Sequence, residues 1–147
     1  KKLLIRNPKS TRPWQHVLEP LSGYLLLGYL LIKKKLNSNM IPSWNFGPYS
    51  KNSKKVKELV QGILKNIDKK IKIKFEKKSF FYESKLLSLN IKKAKKELGW
   101  SPTLSFIDTI RFTSIWYENF LKNKDLEKIT ETQIKLFTSK IKINKNF

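Results

Sequence analysis

Arg12-Pro13-Trp14-Gln15-His16 sets a guanidinium, an indole, a carboxamide and the chain's single histidine side by side. The stretch follows a polar turn and leads into an apolar run from Leu18 to Ile32. An arginine at such a junction can take a diphosphate through two parallel N–H···O bonds. It can equally stack on Trp14 and serve the fold alone. Spacing leaves both readings open. His16, with no second histidine or cysteine to join it, reads as structural support, as do Trp14, Trp44 and Trp100. Glu83, after Phe80-Phe81-Tyr82, has the chemistry to accept two sugar hydroxyls, or is an ordinary strand-edge carboxylate.

Other chemistries are narrowed by what the chain lacks. With no cysteine there is no disulfide scaffold, thiolate nucleophile or cysteine-bound zinc. One histidine and few clustered carboxylates argue against a catalytic metal. The five glycines fit neither a GxGxxG loop nor a Walker pattern, so the chain alone is not expected to hold a dinucleotide. Tyr29 and Lys33 have the spacing of an acid–base pair on one helix face. Tyr29 lies among leucines and Lys33 opens a lysine run, so the pair is read as a decoy.

The elements that must position these residues follow from period and punctuation. Leu3 to Ile5 suits a strand ending at the Asn7-Pro8 turn. A helix is expected from Leu18 to about Ile32, with Pro20 tolerated in its first turn and Lys33 to Lys35 at its end. Too short to span a membrane, it reads as a core helix. Asn37 to Pro42 reads as a loop, and Ser43 to Phe46 as a short buried strand. Ser53 is expected to cap a helix whose Val56, Leu59, Val60, Ile63 and Leu64 share one face. Ile71, Ile73 and Phe75 alternate with lysines as in a half-buried strand. Leu86 to Leu89 reads as another strand. Asn90 is placed as the cap of a helix stopped by Gly99. Further helices are expected from Ser101-Pro102 through Phe120 and from Glu131 to Ile141. The class is α/β, with small mixed sheet pieces and several helices.

The 147 residues carry a net charge of +21 and are 39% hydrophobic, the composition of one folded domain. Of the basic residues 29 are lysine and only three arginine (Arg6, Arg12, Arg111). Base readers of nucleic acid lean on arginine for its planar fork, so most lysines read as a solvated surface. No signal-peptide pattern opens the chain, which is read as cytoplasmic. "KKLLIRNP" at the start, already strand-like and without Met, reads as the continuation of something longer.

The block "IRNPKSTRPWQHVLEPLSGYLLL" (residues 5–27) closely resembles the corresponding block of bacterial CDP-glucose 4,6-dehydratases, members of the extended short-chain dehydrogenase/reductase family. "WNFGP" (44–48), "ELGWSP" (97–102), "WYENF" (116–120) and "ITETQIKLF" (129–137) follow in the family's order, so the resemblance covers nearly the whole chain. It implies that residues 1–147 are the carboxy-terminal, nucleotide-sugar-binding portion of an NAD(P)-binding Rossmann-like enzyme, an incomplete Rossmann domain. Arg12 is then similar to the family's pyrophosphate-contacting arginine, and Glu83 to an acidic residue that contacts the nucleotide ribose. Tyr82-Glu83-Ser84 departs from the family's His-Glu-Ala. The lysine-rich stretch from Asp68 to Phe80 lacks the expected tryptophan–glycine pattern.

The same resemblance implies a lyase that uses bound NAD to turn CDP-glucose into a 4-keto-6-deoxy sugar and water. The glycines, tyrosine, lysine and carboxylates of that chemistry are missing here, so no catalytic residue, metal or cofactor is assigned to this chain. Expected partners are CDP-glucose, a separately encoded amino-terminal half and a second copy in a homodimer. Neither a membrane nor a specific nucleic acid is among them. The rival reading is a stand-alone lysine-rich module that binds nucleic acid or another polyanion without specificity.

Overall fold

The computed structural model describes residues 2–36, 43–67, 71–76 and 84–141. Among these the chain forms β1 (Lys2–Ile5), β2 (Thr11–Arg12), α1 (Leu18–Ile32), β3 (Lys54–Lys55) and α2 (Val56–Asn66). β4 (Lys72–Phe75), α3 (Lys92–Leu98), α4 (Phe106–Leu121) and α5 (Leu126–Lys140) complete the order. The class is mixed α/β, as the alternating patterns imply. β1 and β4 pair in parallel, with Lys2 opposite Lys72 and Ile5 opposite Phe75. β2 and β3 pair antiparallel, Arg12 opposite Lys54.

α1 has the expected bounds, but it is only half a core helix. Glu19, Gly23 and Leu30 are its buried residues. Leu25 and Ile32 stay 76% and 80% exposed. The buried side meets a cluster of Leu30, Phe46, Ile91, Ala94, Leu98 and Trp100. Leu30 and Leu98 are fully enclosed there. Truncating either to alanine should cost about 2–5 kcal/mol. A second cluster joins Leu104, Phe112 and Phe137 from the chain around α4 and α5, with Leu18 of α1 beside it.

Several expectations are corrected by where backbone N–H groups find partners. Residues 43–46 form no strand. Their links run through side chains instead: the Phe46 carbonyl accepts from Gln15 Nε2 at 3.0 Å, and Trp44 Nε1 donates to Glu97 at 2.8 Å. Ser53 is not the cap of α2. Lys55 occupies that position, and its N–H is taken by the Glu58 carboxylate at 2.9 Å. The proposed strand at 86–89 reduces to a bridge between Leu86 and Thr11. α4 starts at Phe106 rather than Ser101, where Ser105 and Asp108 cap each other reciprocally. α5 starts at Leu126 rather than Glu131, because Asp125 accepts the Lys128 N–H at 3.1 Å. α3 ends as expected, with Gly99 in the left-handed region at φ 68°. Asn90 Oδ1 accepts the Lys92 N–H at 3.0 Å, serving the start of α3 from one residue outside its cap position. The loop expected at 37–42 lies outside the described residues.

Among the described residues no helix is long and apolar enough to cross a membrane.

Candidate functional site

Pro8 and Ser10 carbonyls accept the first N–H groups of α2, those of Lys57 and Val56, each at 3.0 Å. This pins the turn before β2 to the β3–α2 junction. On the other side the Thr11 N–H donates to the Lys85 carbonyl at 2.8 Å, and the Leu87 N–H to the Thr11 carbonyl at 3.2 Å. β2 is thus clasped between β3 and the segment 84–87.

Arg12 ends this clasped strand, half-buried. Its Nη1 donates to the carbonyls of Thr11 and Ser84, both at 2.9 Å. The guanidinium is therefore positioned by backbone, and backbone carbonyls cannot swing away as a surface carboxylate can. The register sets Lys54 opposite Arg12 and Lys55 opposite Thr11. Lys85 follows directly after Arg12's carbonyl partner. By this register Lys54 shares the sheet face of Arg12, while Lys55, whose N–H is taken by the Glu58 carboxylate, falls on the other. Glu83 itself lies outside the described residues, although Ser84, its neighbour, bonds Arg12.

Trp14 fastens the junction after the strand. Its Nε1 donates to the Lys54 carbonyl at 2.9 Å. Trp44 sits between Glu97, which accepts its indole N–H, and Lys93, whose Nζ lies 5.1 Å from the ring centre. Trp100 is buried edge-on to Phe46 at 5.0 Å and donates to Ser22 Oγ at 3.0 Å. Ser22 in turn donates to the Glu19 carbonyl at 2.7 Å. Among the described residues, Trp14 alone of these three tryptophans reaches the Arg12 edge through a hydrogen bond.

His16 is buried, edge-on to Phe112 at 5.5 Å. Burial holds its pKa below the ordinary histidine value, which favours the neutral ring. Its Nδ1 accepts the Leu18 N–H at 3.4 Å, which puts the ring proton on Nε2. Tyr29 and Lys33, set aside as a decoy, share only a backbone bond from the Lys33 N–H to the Tyr29 carbonyl, and Tyr29 is exposed.

Glu19 is a buried carboxylate in the first turn of α1. It is 1% exposed, and its carboxylate accepts the backbone N–H of Thr103 at 2.9 Å and that of Leu104. Burial raises its pKa above the ordinary glutamate value, while the two backbone bonds oppose the rise. A carboxylate just inside the amino end of a greasy helix, one residue before a proline, is the sequence signal for it.

No family model matches the chain. It is 30% identical over 137 residues to the CDP-glucose 4,6-dehydratase of Salmonella typhimurium. The aligned region takes in 93% of this chain and 38% of that protein, so the chain spans well under half the length of this curated relative.

Proposed function

We propose that this chain supplies the nucleotide-sugar-binding side of a CDP-glucose 4,6-dehydratase-like protein, with Arg12 as its diphosphate contact. The observation that carries this reading is the likeness to the dehydratase across 93% of the chain. The Arg12 edge supports it chemically. A guanidinium pinned by two carbonyls has little rotamer freedom left to lose, which favours charge-assisted binding of an anion. Lys54 and Lys85 add positive potential near it. Glu83, one residue before Arg12's partner Ser84, completes the reading as a ribose contact.

NAD, the cofactor of the family these motifs resemble, does not fit the residues present. A dinucleotide loop needs glycines where backbone approaches a pyrophosphate. Here Gly23 backs onto Phe46, Gly47 onto Leu89 and Gly62 onto Ile110, so their missing side chains make room for packing. Gly28 lies inside α1 and Gly99 ends α3. The share of this chain in a dehydratase reaction is then to bind and orient the nucleotide sugar. Cofactor-dependent steps, and any partner that carries them, lie beyond its own residues.

Calorimetric titration of CDP into the folded chain tests the reading, with CMP in parallel. A diphosphate contact predicts saturable binding that is stronger for CDP. Equal heats for both, or no saturable heat, would remove the reading.

A further inference from the structure

A cavity of about 370 Å³ opens between the segment entering α1 and the facing sides of α4 and α5. Its size lies within the range of about 300–1,000 Å³ typical of small-molecule sites. Gln15, His16, Trp116, Tyr117, Thr130 and Gln133 are among the residues that line it. Among the described residues that line it, none is an aspartate, glutamate, lysine or arginine. In a chain of net charge +21, a pocket whose described lining carries no cation is a marked local exception.

Several polar groups of its wall are committed. Trp116 Nε1 donates to Thr130 Oγ1 at 3.1 Å, and that hydroxyl donates to the Leu126 carbonyl at 2.8 Å. Gln133 Nε2 donates to the Phe112 carbonyl at 2.7 Å, and Gln15 Nε2 to that of Phe46. Burial disfavours the cationic form of His16. Gln15 Oε1 is buried with no hydrogen-bond partner among the described residues. Such a wall offers an anion no cationic side chain. Its aromatic surface, with the Trp116 ring stacked on Phe120 at 5.8 Å, suits a flat ring instead.

The geometry points to a binding site for an uncharged aromatic ligand in this cavity, separate from the anion-binding role given to Arg12 and independent of it. A phosphate or carboxylate on the same ring is selected against.

Indole and indole-3-carboxylate are matched probes, because they share a ring and differ in charge. Overall charge favours the anion on this protein, whereas the cavity favours the neutral ring, so the two explanations predict opposite rankings. Nuclear magnetic resonance titration of the full chain should show saturable indole shifts at amides of residues 15–18, 113–117 and 130–133. Indole-3-carboxylate should bind there about tenfold more weakly or worse, since an unpaired charge would be buried. CDP should not displace indole. Thr113→Phe, which fills the cavity from α4, should abolish the shifts while the spectrum stays dispersed. If that variant fails to fold, the ranking of the two probes on the wild-type chain decides alone. Unsaturable shifts, indole-3-carboxylate equal to or tighter than indole, or unchanged binding in folded Thr113→Phe would overturn the proposal.

Discussion

The buried carboxylate of Glu19 accepts the backbone N–H of Thr103, 84 residues away, at 2.9 Å. It takes the Leu104 N–H as well. These two bonds tie residues 103–104 to the start of α1, and α4 begins after them, at Phe106. Removing the acceptor leaves two N–H groups without their partner, at about 1–3 kcal/mol each where they stay buried. Glu19→Ala is therefore expected to lower the urea midpoint more than any surface Glu→Ala change, such as Glu131→Ala. Equal midpoints for the two variants would contradict this.

The same carboxyl gives a pH signature. Its folded pKa is raised, so above the ordinary glutamate value the folded state holds the proton more tightly than the unfolded one. Its contribution to stability is fully present below that ordinary value and is lost as pH rises through the raised one. His16 acts in the opposite sense. Its folded pKa is lowered, so its contribution is present above the ordinary histidine value and is lost as pH falls through the lowered one. Denaturation measured across pH should show Glu19→Gln losing a fall in stability with rising pH, and His16→Phe losing a fall with declining pH. Parallel profiles for wild type and either variant would rule out that group's assigned shift.

Gly23 and Gly28 share α1 and should respond to alanine with opposite signs. A Cβ on Gly23 would sit 2.4 Å from the Phe46 ring, which is itself locked against Trp100. Gly23→Ala is expected to destabilise by about 1–3 kcal/mol through overpacking. Gly28 meets nothing within 4 Å of such a Cβ, so alanine there should stabilise the helix by about 0.5–1 kcal/mol. Thermal melts of the two single variants separate these outcomes. A shift of the same sign in both would show that α1 does not pack on Phe46 as described.

Much of the scaffold was legible because its signals are local. α1 is bracketed by Pro13 and the Lys33–Lys35 run, β4 alternates, and Gly99 stops α3. What escaped depends on partners distant in sequence. Residues 43–46 carry a strand's composition, but their hydrogen bonds go to Gln15 and Glu97 side chains, not to a neighbouring strand. Ser101-Pro102 resembles a helix start, but the N–H groups that follow are claimed by Glu19. The starts of α4 and α5 were readable in principle, since Ser105-x-x-Asp108 and Asp125 are ordinary capping signals. At the candidate site, Arg12 was legible as a rare arginine at a strand–helix handover. Its partner, the Ser84 carbonyl, was not, because a backbone acceptor 72 residues away leaves no mark in side-chain identity.

Lysines spread over many elements attract any polyanion without reading it. Binding to double-stranded DNA is expected to be independent of sequence and to fall steeply between about 50 and 200 mM salt. A filter-binding titration against salt with two unrelated duplexes checks this. A site that survives high salt and prefers one sequence would move the function to nucleic acid.

The central claim rests on Arg12, and calorimetric titration of CDP into wild type, Arg12→Ala, Arg12→Lys and Lys9→Ala tests it most directly. Circular dichroism on each variant establishes that it is folded. Truncating a partly desolvated guanidinium–diphosphate contact costs about 2–5 kcal/mol, so Arg12→Ala should weaken CDP binding by well over tenfold. Arg12→Lys keeps the charge without the fork and should recover only part of the loss. Lys9 is exposed, and its removal should change little. Equal CDP affinity in wild type and folded Arg12→Ala would contradict the account and leave Arg12 as a tie between β2 and Ser84.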